Sequence, residues 1–238
     1  MTAPRPVILS DLDDTLFDHR WATRTALDAV RRETPAFECW SADELNTRHG
    51  EVLELLHHQV LAGRLSVETA RFERFRRLLE AARDGSPSER AASVARQYRL
   101  AYEGAWRPVP GAVDLLQRLR AAGAAIAIVT NNIVREQRQK LSACGMATYV
   151  DALVTSEEVG MTKPSPAIFH VALDRVGGSP DSAVMLGDAW TTDIDGARAA
   201  GIRAVWFNRT GDPTPDPSVD VLRSLEPVDQ ALRVILRR

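Results

Sequence analysis

The spacing of apolar and polar positions divides the chain into three stretches. The first is the short continuous run Val7-Ile8-Leu9, followed at once by Ser10-Asp11-Leu12-Asp13-Asp14-Thr15-Leu16. Unbroken apolar character over so few residues predicts a buried strand, with the acids in the loop at its carboxyl end. From about Arg20 to Trp106 the apolar period becomes helical, and no strand pattern interrupts it. Ser41-Ala42-Asp43-Glu44 has the form of a capping box ahead of Leu45, Val52, Leu53, Leu56 and Val60, and Gly63 is placed to stop that helix. Ser86-Pro87-Ser88-Glu89 reads as a second box, with proline at the first helical position. Between the two, Phe72, Phe75, Leu78 and Leu79 recur at helical spacing, which predicts core, up to Asp84-Gly85. The expected product is a bundle of four helices.

The third stretch begins at Arg107-Pro108-Val109-Pro110-Gly111, where two prolines and a glycine break the helical period. Helical and strand patterns then alternate. Helices are expected over 112–122, 134–143, 166–176 and 193–200, and strands over 125–129, 152–155, 183–186 and 203–207. A last strand near Val219 to Leu222 and a helix from near Ser224 complete the chain. Alternation of this kind predicts an α/β fold, a Rossmann-like parallel sheet with helices on both faces. The expected domains are residues 1–17 with 107–238 as that core, and 18–106 as an inserted helical domain.

Ligands of an open parallel sheet bind beyond the carboxyl ends of its strands. Asp11, Thr130 and Asp188 all follow expected strands, and Lys163 lies in the loop after another, so residues far apart in sequence should meet at one rim. Asp11 and Asp13, one residue apart, can face a shared site differently, one as nucleophile toward phosphorus and the other as proton donor to the leaving oxygen. Asp11 and Asp14 could equally be turn residues, a common use of Asp after a strand.

Composition narrows the partners more than the chemistry. In 238 residues, 45% hydrophobic, there is enough apolar material for one core and a smaller inserted one. A net charge of −2 gives no long-range attraction to a nucleic acid polymer or an anionic membrane, and no apolar run could span a bilayer. A small-molecule protein, monomer or homodimer, is expected. Its start, Met1-Thr2-Ala3-Pro4-Arg5-Pro6, lacks the apolar stretch of a secretory signal, so the expected location is cytoplasmic. Cys39 and Cys144 fall in different expected domains, which argues against a disulfide or a thiolate metal site and leaves both as packing residues. Of 30 basic residues only Lys140 and Lys163 are lysines. A lysine at position 163 in a chain that otherwise uses arginine points to a crowded anionic site, where a compact ammonium fits and a guanidinium fork does not.

Asp11-Leu12-Asp13-Asp14-Thr15 after an apolar strand resembles the first motif of the haloacid dehalogenase-like hydrolases. Three further motifs follow in the family's order: Thr130 after Ile126-Ala127-Ile128-Val129, Lys163 in Met161-Thr162-Lys163-Pro164, and Gly187-Asp188 with Asp193 five residues on. The resemblance implies a phosphomonoesterase that holds Mg²⁺ and passes through an aspartyl-phosphate, with the helical insertion as a type-one cap. Asp11 would be the nucleophile and Asp13 the acid and base. Asp11 and Asp188 would bind the metal, with Asp193 direct or through water and the backbone carbonyl of Asp13 as a further ligand. Thr130 and the N–H of Asn131 would hold phosphoryl oxygens, and Lys163 would neutralise their charge and hold Asp11.

Each position has a plainer reading beside that one. Thr130 could terminate a strand, Asp193 could cap or open the next helix, and Asp195 is best explained as a first-turn acid. Glu54 with His57-His58 has metal-like spacing but no third ligand, so an exposed helix face is expected, and His170 reads as structural. Phe17, Asp18 and His19 lie close to the rim, with Asp18 also suited to capping the next helix, and none is placed in the catalytic set. A dehalogenase of this fold would need neither a second carboxylate nor a metal, so Asp13, Asp188 and Asp193 argue against it. A phosphomutase would share every catalytic residue, and a regulatory protein would not need the set intact. The stretch from Thr155 to Pro164 is similar to the nucleotidase branch acting on pyrimidine 5′-nucleotides, and also to phosphatases of sugar acids and flavin precursors.

Overall fold

A computed structural model describes residues 5–237; residues 1–4, part of the start read above for a signal, and residue 238 lie outside it. The chain forms two compact units, one comprising the chain up to Asp18 and from Arg107 onward, the other His19–Trp106. Asp18, expected in the helical domain, belongs to the first unit, where its carboxylate accepts hydrogen bonds from Arg107 and Arg209.

The first unit carries β1 (Val7–Ser10), α5 (Ala112–Ala121), β2 (Ala125–Thr130), α6 (Val134–Ala143) and β3 (Ala152–Thr155). It continues with α7 (Ser156–Val159), α8 (Pro166–Val176), β4 (Ala183–Gly187), α9 (Gly196–Ala199), β5 (Arg203–Phe207), β6 (Asp220–Leu222) and α10 (Val228–Leu236). Its six strands form one sheet in the order β3-β2-β1-β4-β5-β6, every neighbouring pair parallel. Every residue of β1, β2 and β4 is buried, as expected of strands covered on both faces, and this is why they read as runs rather than alternations. Val7, Leu9, Ala127, Val129 and Met185 pack with Ile168, Phe169 and Leu173 of α8 in the main core.

Strand order reverses between β1 and β4, which makes the crevice there the expected ligand position. Ser10 is in register with both Ile128 and Leu186, so the three central strands end nearly level. Just past that line the Asp11 N–H donates to Leu186 O at 2.9 Å. The loop after β1 is thereby tied to the end of β4, and the residues after each strand share one rim.

Two helices differ from expectation. The segment expected as a helix from Asp193 begins instead at Trp190, with a wide π-type turn over Trp190–Asp195 running into α9. Asp193 accounts for this: its N–H donates to Ala189 O at 2.8 Å and its Oδ2 accepts from Ala189 N at 3.0 Å, winding the backbone around the side chain. The final helix starts at Val228 rather than near Ser224, because the Ser224 hydroxyl accepts from Glu226 N at 3.0 Å in a turn and Pro227 then precedes the first helical residue.

The second unit is four α-helices, α1 (His19–Glu33), α2 (Ala42–Leu61), α3 (Val67–Ala81) and α4 (Pro87–Gly104), among the described residues. The Ser41 box is fully formed: Glu44 N donates to Ser41 Oγ at 3.2 Å and Ser41 N to the Glu44 carboxylate at 2.7 Å. Gly63, with φ +67°, follows the end of α2. The second expected box is absent, since Ser86 accepts no capping bond and its N–H donates to Asp84 Oδ1 instead. Phe75, Leu78 and Leu79 are buried as the stripe predicted. Cys39 is exposed, not a packing residue, because it ends a 3₁₀ turn in which Phe37 takes the buried position; Cys144 is buried as expected.

Candidate active site

Asp11 stands directly beyond β1, 7% exposed, and its Oδ1 accepts a hydrogen bond from Lys163 Nζ at 2.6 Å. The same ammonium donates to Asp193 Oδ1, also at 2.6 Å. Lys163 is thus a bridge between two carboxylates that the sequence separates widely. Two reciprocal bonds hold its loop against the end of β2: Asn131 Nδ2 donates to Lys163 O at 2.9 Å, and Lys163 N donates to Asn131 Oδ1 at 2.7 Å. Asn131 therefore has a task for its side chain as well as the one expected of its backbone N–H. Thr130, the last residue of β2, is buried.

Asp193 is fully buried and also stands in the first turn of the helical segment that opens at Trp190, so the plainer reading of it as a helix-opening acid holds together with its place in the site; Asp195 is the exposed acid ahead of α9. Gly187 makes room for Asp193, since a Cβ there would come within 2.3 Å of its Oδ2. Asp188 is fixed through its backbone, its carbonyl accepting from Trp206 Nε1 at 2.8 Å, while Trp206 packs edge-on against Trp190. Asp14 is the turn residue of the opening stretch: its φ is +62°, a conformation Asp tolerates, and its N–H donates to Phe17 O. The turn reading is right for Asp14 and leaves Asp11 and Asp13 facing inward.

Charge at the rim is strongly coupled. Burial pushes the Asp11 carboxyl well above the ordinary range, Lys163 pulls it back, and Asp193, Asp188 and Asp13 push it up again. Burial works against the Lys163 ammonium, but Asp11 and Asp193 outweigh it and hold the group above its usual range. One oxygen each from Asp11, Asp188 and Asp193 lie within 4.8 Å of one another, and the Lys163 ammonium bridges Asp11 and Asp193. Three hard carboxylate oxygens this close suit Mg²⁺, whose ligands stand at about 2.0–2.1 Å from the ion. The Asp13 side chain points to different partners, so any part it has in holding the ion falls to its backbone carbonyl.

Asp13 meets a group of residues that no sequence pattern had singled out. Its Oδ1 accepts from Lys140 Nζ at 2.6 Å, and its Oδ2 from Gln137 Nε2 at 2.8 Å and Asn132 Nδ2 at 3.1 Å. Gln137 also donates to Thr130 Oγ1 at 3.0 Å, joining two expected site residues. The available signal was the lysine count: both lysines of the chain are buried against acids of the opening loop.

The other candidates stay outside this constellation. His170, His58 and Glu54 are exposed, and among the described residues Asp11, Asp188 and Asp193 are the one group of acids, histidines and cysteines close enough to share a metal. Asp18 is buried, and instead of capping α1 it accepts from Arg107 and Arg209. Burial raises its pKa, but those two hydrogen-bonded guanidiniums outweigh burial and hold it below the usual carboxylate range. His19 belongs to the helical unit, its Nδ1 2.8 Å from the Tyr102 hydroxyl. No helix among the described residues is long and apolar enough to cross a membrane.

The chain is similar in sequence and fold to known proteins. The chain is 37% identical to phosphoserine phosphatase of Thermus thermophilus over 150 residues, covering 62% of this chain and 59% of that one. It is 43% identical to the pyrimidine 5′-nucleotidase YjjG of Escherichia coli over 102 residues, 42% of this chain and 45% of the relative. Both matches therefore span less than two thirds of the curated relative. The HAD-hydrolase YfnB of Bacillus subtilis, solved with magnesium, superposes with a TM-score of 0.76 at 24% identity, over 97% of this chain and all of that one, which is a likeness of fold. The family model described as haloacid dehalogenase-like hydrolase matches residues 6–201, and with the acids, threonine and lysine of its motifs gathered at one sheet edge, the chain belongs to the haloacid dehalogenase-like hydrolases.

Proposed function

We propose that the protein is a Mg²⁺-dependent phosphomonoesterase acting on a small phosphorylated metabolite through an aspartyl-phosphate on Asp11. The observation that carries this reading is Lys163 Nζ at 2.6 Å from both Asp11 and Asp193, with Asp188 close by. A buried carboxylate aimed outward from a strand end can attack phosphorus in line, forming the Asp11–phosphorus bond as the ester bond breaks. Lys163 favours the ionised form of Asp11 and orients it, and offsets charge on the phosphoryl oxygens. Thr130 and the Asn131 N–H receive those oxygens. Asp13 gives a proton to the leaving alkoxide in the first step and takes one from water in the second, so the ester is converted to alcohol and inorganic phosphate. Mg²⁺ held by Asp11, Asp188, Asp193 and the Asp13 carbonyl would supply the positive charge that lets a carboxylate approach a phosphate dianion.

A dehalogenase reading leaves Asp13, Asp188 and Asp193 without a task. For the leaving group, the likeness of the Thr155–Pro164 stretch to nucleotidases and the identity to YjjG favour nucleoside 5′-monophosphates, pyrimidines first. A base offers a binding pocket stacking area that a bare sugar lacks, which is the physical ground for ranking nucleotides above sugar phosphates. Turnover of p-nitrophenyl phosphate with and without Mg²⁺, followed by ranking of phosphorylated metabolites by kcat/KM, tests both levels. Metal-independent turnover would overturn the mechanism. Preference for phosphoserine, a sugar-acid phosphate or flavin mononucleotide would move the substrate and leave the chemistry standing.

A further inference from the structure

Asp13 is held by three donors that all come from the end of β2 and the helix after it. Lys140 and Gln137 are one turn apart on α6, so their side chains leave the same face of the helix, and Asn132 sits two residues before its first residue. Lys140 is 1% exposed and Gln137 fully buried. Neither choice is explained by packing α6 against the sheet, since a leucine or methionine would cover the same area without desolvating an ammonium. The Lys140 stem and head are specific in their surroundings: Nζ lies 2.6 Å from Asp13 Oδ1, 3.5 Å from Glu136 Oε1 and 4.8 Å from the centre of the Phe17 ring.

Gln137 gives independent support. Its amide turns both donor contacts toward the site, one to Asp13 Oδ2 and one to Thr130 Oγ1, and its buried Oε1 has no partner among the described residues. A buried acceptor left unmatched costs about 1–3 kcal/mol. A side chain placed for stability alone would not be expected to retain that cost, whereas one placed to aim an NH₂ group at a carboxylate retains it necessarily. The opposite amide orientation would set Oε1 against the Asp13 carboxylate.

We propose that Lys140 and Gln137 are positioning residues that fix the side chain of Asp13 for proton transfer, so that α6 serves the acid–base carboxylate as Lys163 serves the nucleophile. This rests on the reading of Asp13 given above. With both carboxylate oxygens anchored, the side chain is confined to one rotamer, and proton transfer, which depends steeply on reach and direction, starts from that geometry rather than from a search. The chain then spends each of its two lysines on one carboxylate of the opening loop.

The test is a double-mutant cycle with p-nitrophenyl phosphate as substrate, using Lys140→Met, Asp13→Asn and both together. Lys140→Met should lower kcat about 10- to 100-fold with KM falling alongside it and kcat/KM much less affected, and phosphoenzyme should build up on the Asp11 peptide because the second step needs an oriented base. Added to Asp13→Asn, it should change kcat by less than about 2-fold, since there is no carboxylate left to position. Should Lys140→Met not fold, Gln137→Met takes its place in the same cycle, with a smaller loss and the same non-additivity expected. Near-native kcat in a folded variant of either residue, or losses that multiply with that of Asp13→Asn, would overturn the inference. If Asp13→Asn itself turns over normally, the acid–base reading falls and this inference with it; if Asp13→Asn is crippled while the positioning variants are not, only the inference falls.

Discussion

The two units bury polar groups in opposite ways. In the sheet unit the buried Asp11, Thr130, Gln137, Lys140, Lys163 and Asp193 converge on one sheet edge, where both lysines make charged hydrogen bonds of 2.6 Å and Gln137 donates to Thr130 at 3.0 Å. In the helical unit the fully buried His49 sits among rings, 5.0 Å from Tyr98 and 6.0 Å from Phe75, with an Arg74 guanidinium nitrogen 3.3 Å from its Nε2. Burial of a paired charge raises the worth of its partner, while burial of an imidazole among rings suppresses its charge. The first arrangement concentrates reactivity; the second makes a packed scaffold. Changes at the sheet edge should therefore act first on turnover, and changes in the core of the bundle first on stability.

The largest expected effect is removal of metal: a chelator should abolish phosphatase turnover and restored Mg²⁺ should recover it, because the clustered carboxylates of Asp11, Asp188 and Asp193 repel a phosphate dianion. Retained turnover in metal-free buffer would erase the distinction drawn between the two units. Next comes Lys163, where Lys163→Arg should fall with Lys163→Ala, each losing about 10²- to 10³-fold in kcat. A guanidinium is too wide for the gap in which one ammonium reaches Asp11 and Asp193 at 2.6 Å. Near-native kcat in the Arg variant would mean that position 163 needs charge without shape.

In the bundle the expectation concerns stability and pH. Burial, Arg74 and His19 push the His49 imidazole well below its ordinary range, so it is neutral in the fold and takes up a proton readily when unfolded. Its contribution is complete above the usual histidine range near pH 6.5 and is lost as pH falls below that value toward the depressed folded pKa. Melting curves between about pH 7.5 and 5 should show destabilisation in the native chain and a flatter profile in His49→Gln, and equal slopes would contradict this. Smallest is Ser41→Ala, which removes the bond accepted from Glu44 N and should cost about 1 kcal/mol in denaturant melts while leaving kcat unchanged.

Sequence and structure agree most closely where a residue answers to local rules. Buried parallel strands are continuous apolar runs, so β1, β2 and β4 are legible from the apolar pattern alone, and the Ser41 box needs four adjacent residues. The Ser86 box fails through a competing local bond, because Asp84, two residues earlier, accepts the Ser86 N–H. The turn at Trp190–Asp195 escapes a helical period because it is built around one buried carboxylate. Asp11, Lys163 and Asp193 could be found since each stands at a strand end or in a motif. Gln137 and Lys140 stand inside an ordinary amphipathic helix, and only the fold shows that the face they share points at Asp13.

The central claim is that Asp11 forms the bond to phosphorus while Asp13 moves protons. Rapid-quench mass spectrometry of Asp13→Asn with p-nitrophenyl phosphate tests it most directly. The nitrophenolate leaving group needs little protonation, so the first step should proceed and the second should stall. A burst of about one equivalent of nitrophenolate per enzyme, with the phosphoryl group on the peptide carrying Asp11 and no burst from Asp11→Asn, is the predicted result. Label on a histidine or serine, or a burst that persists in Asp11→Asn, would contradict it.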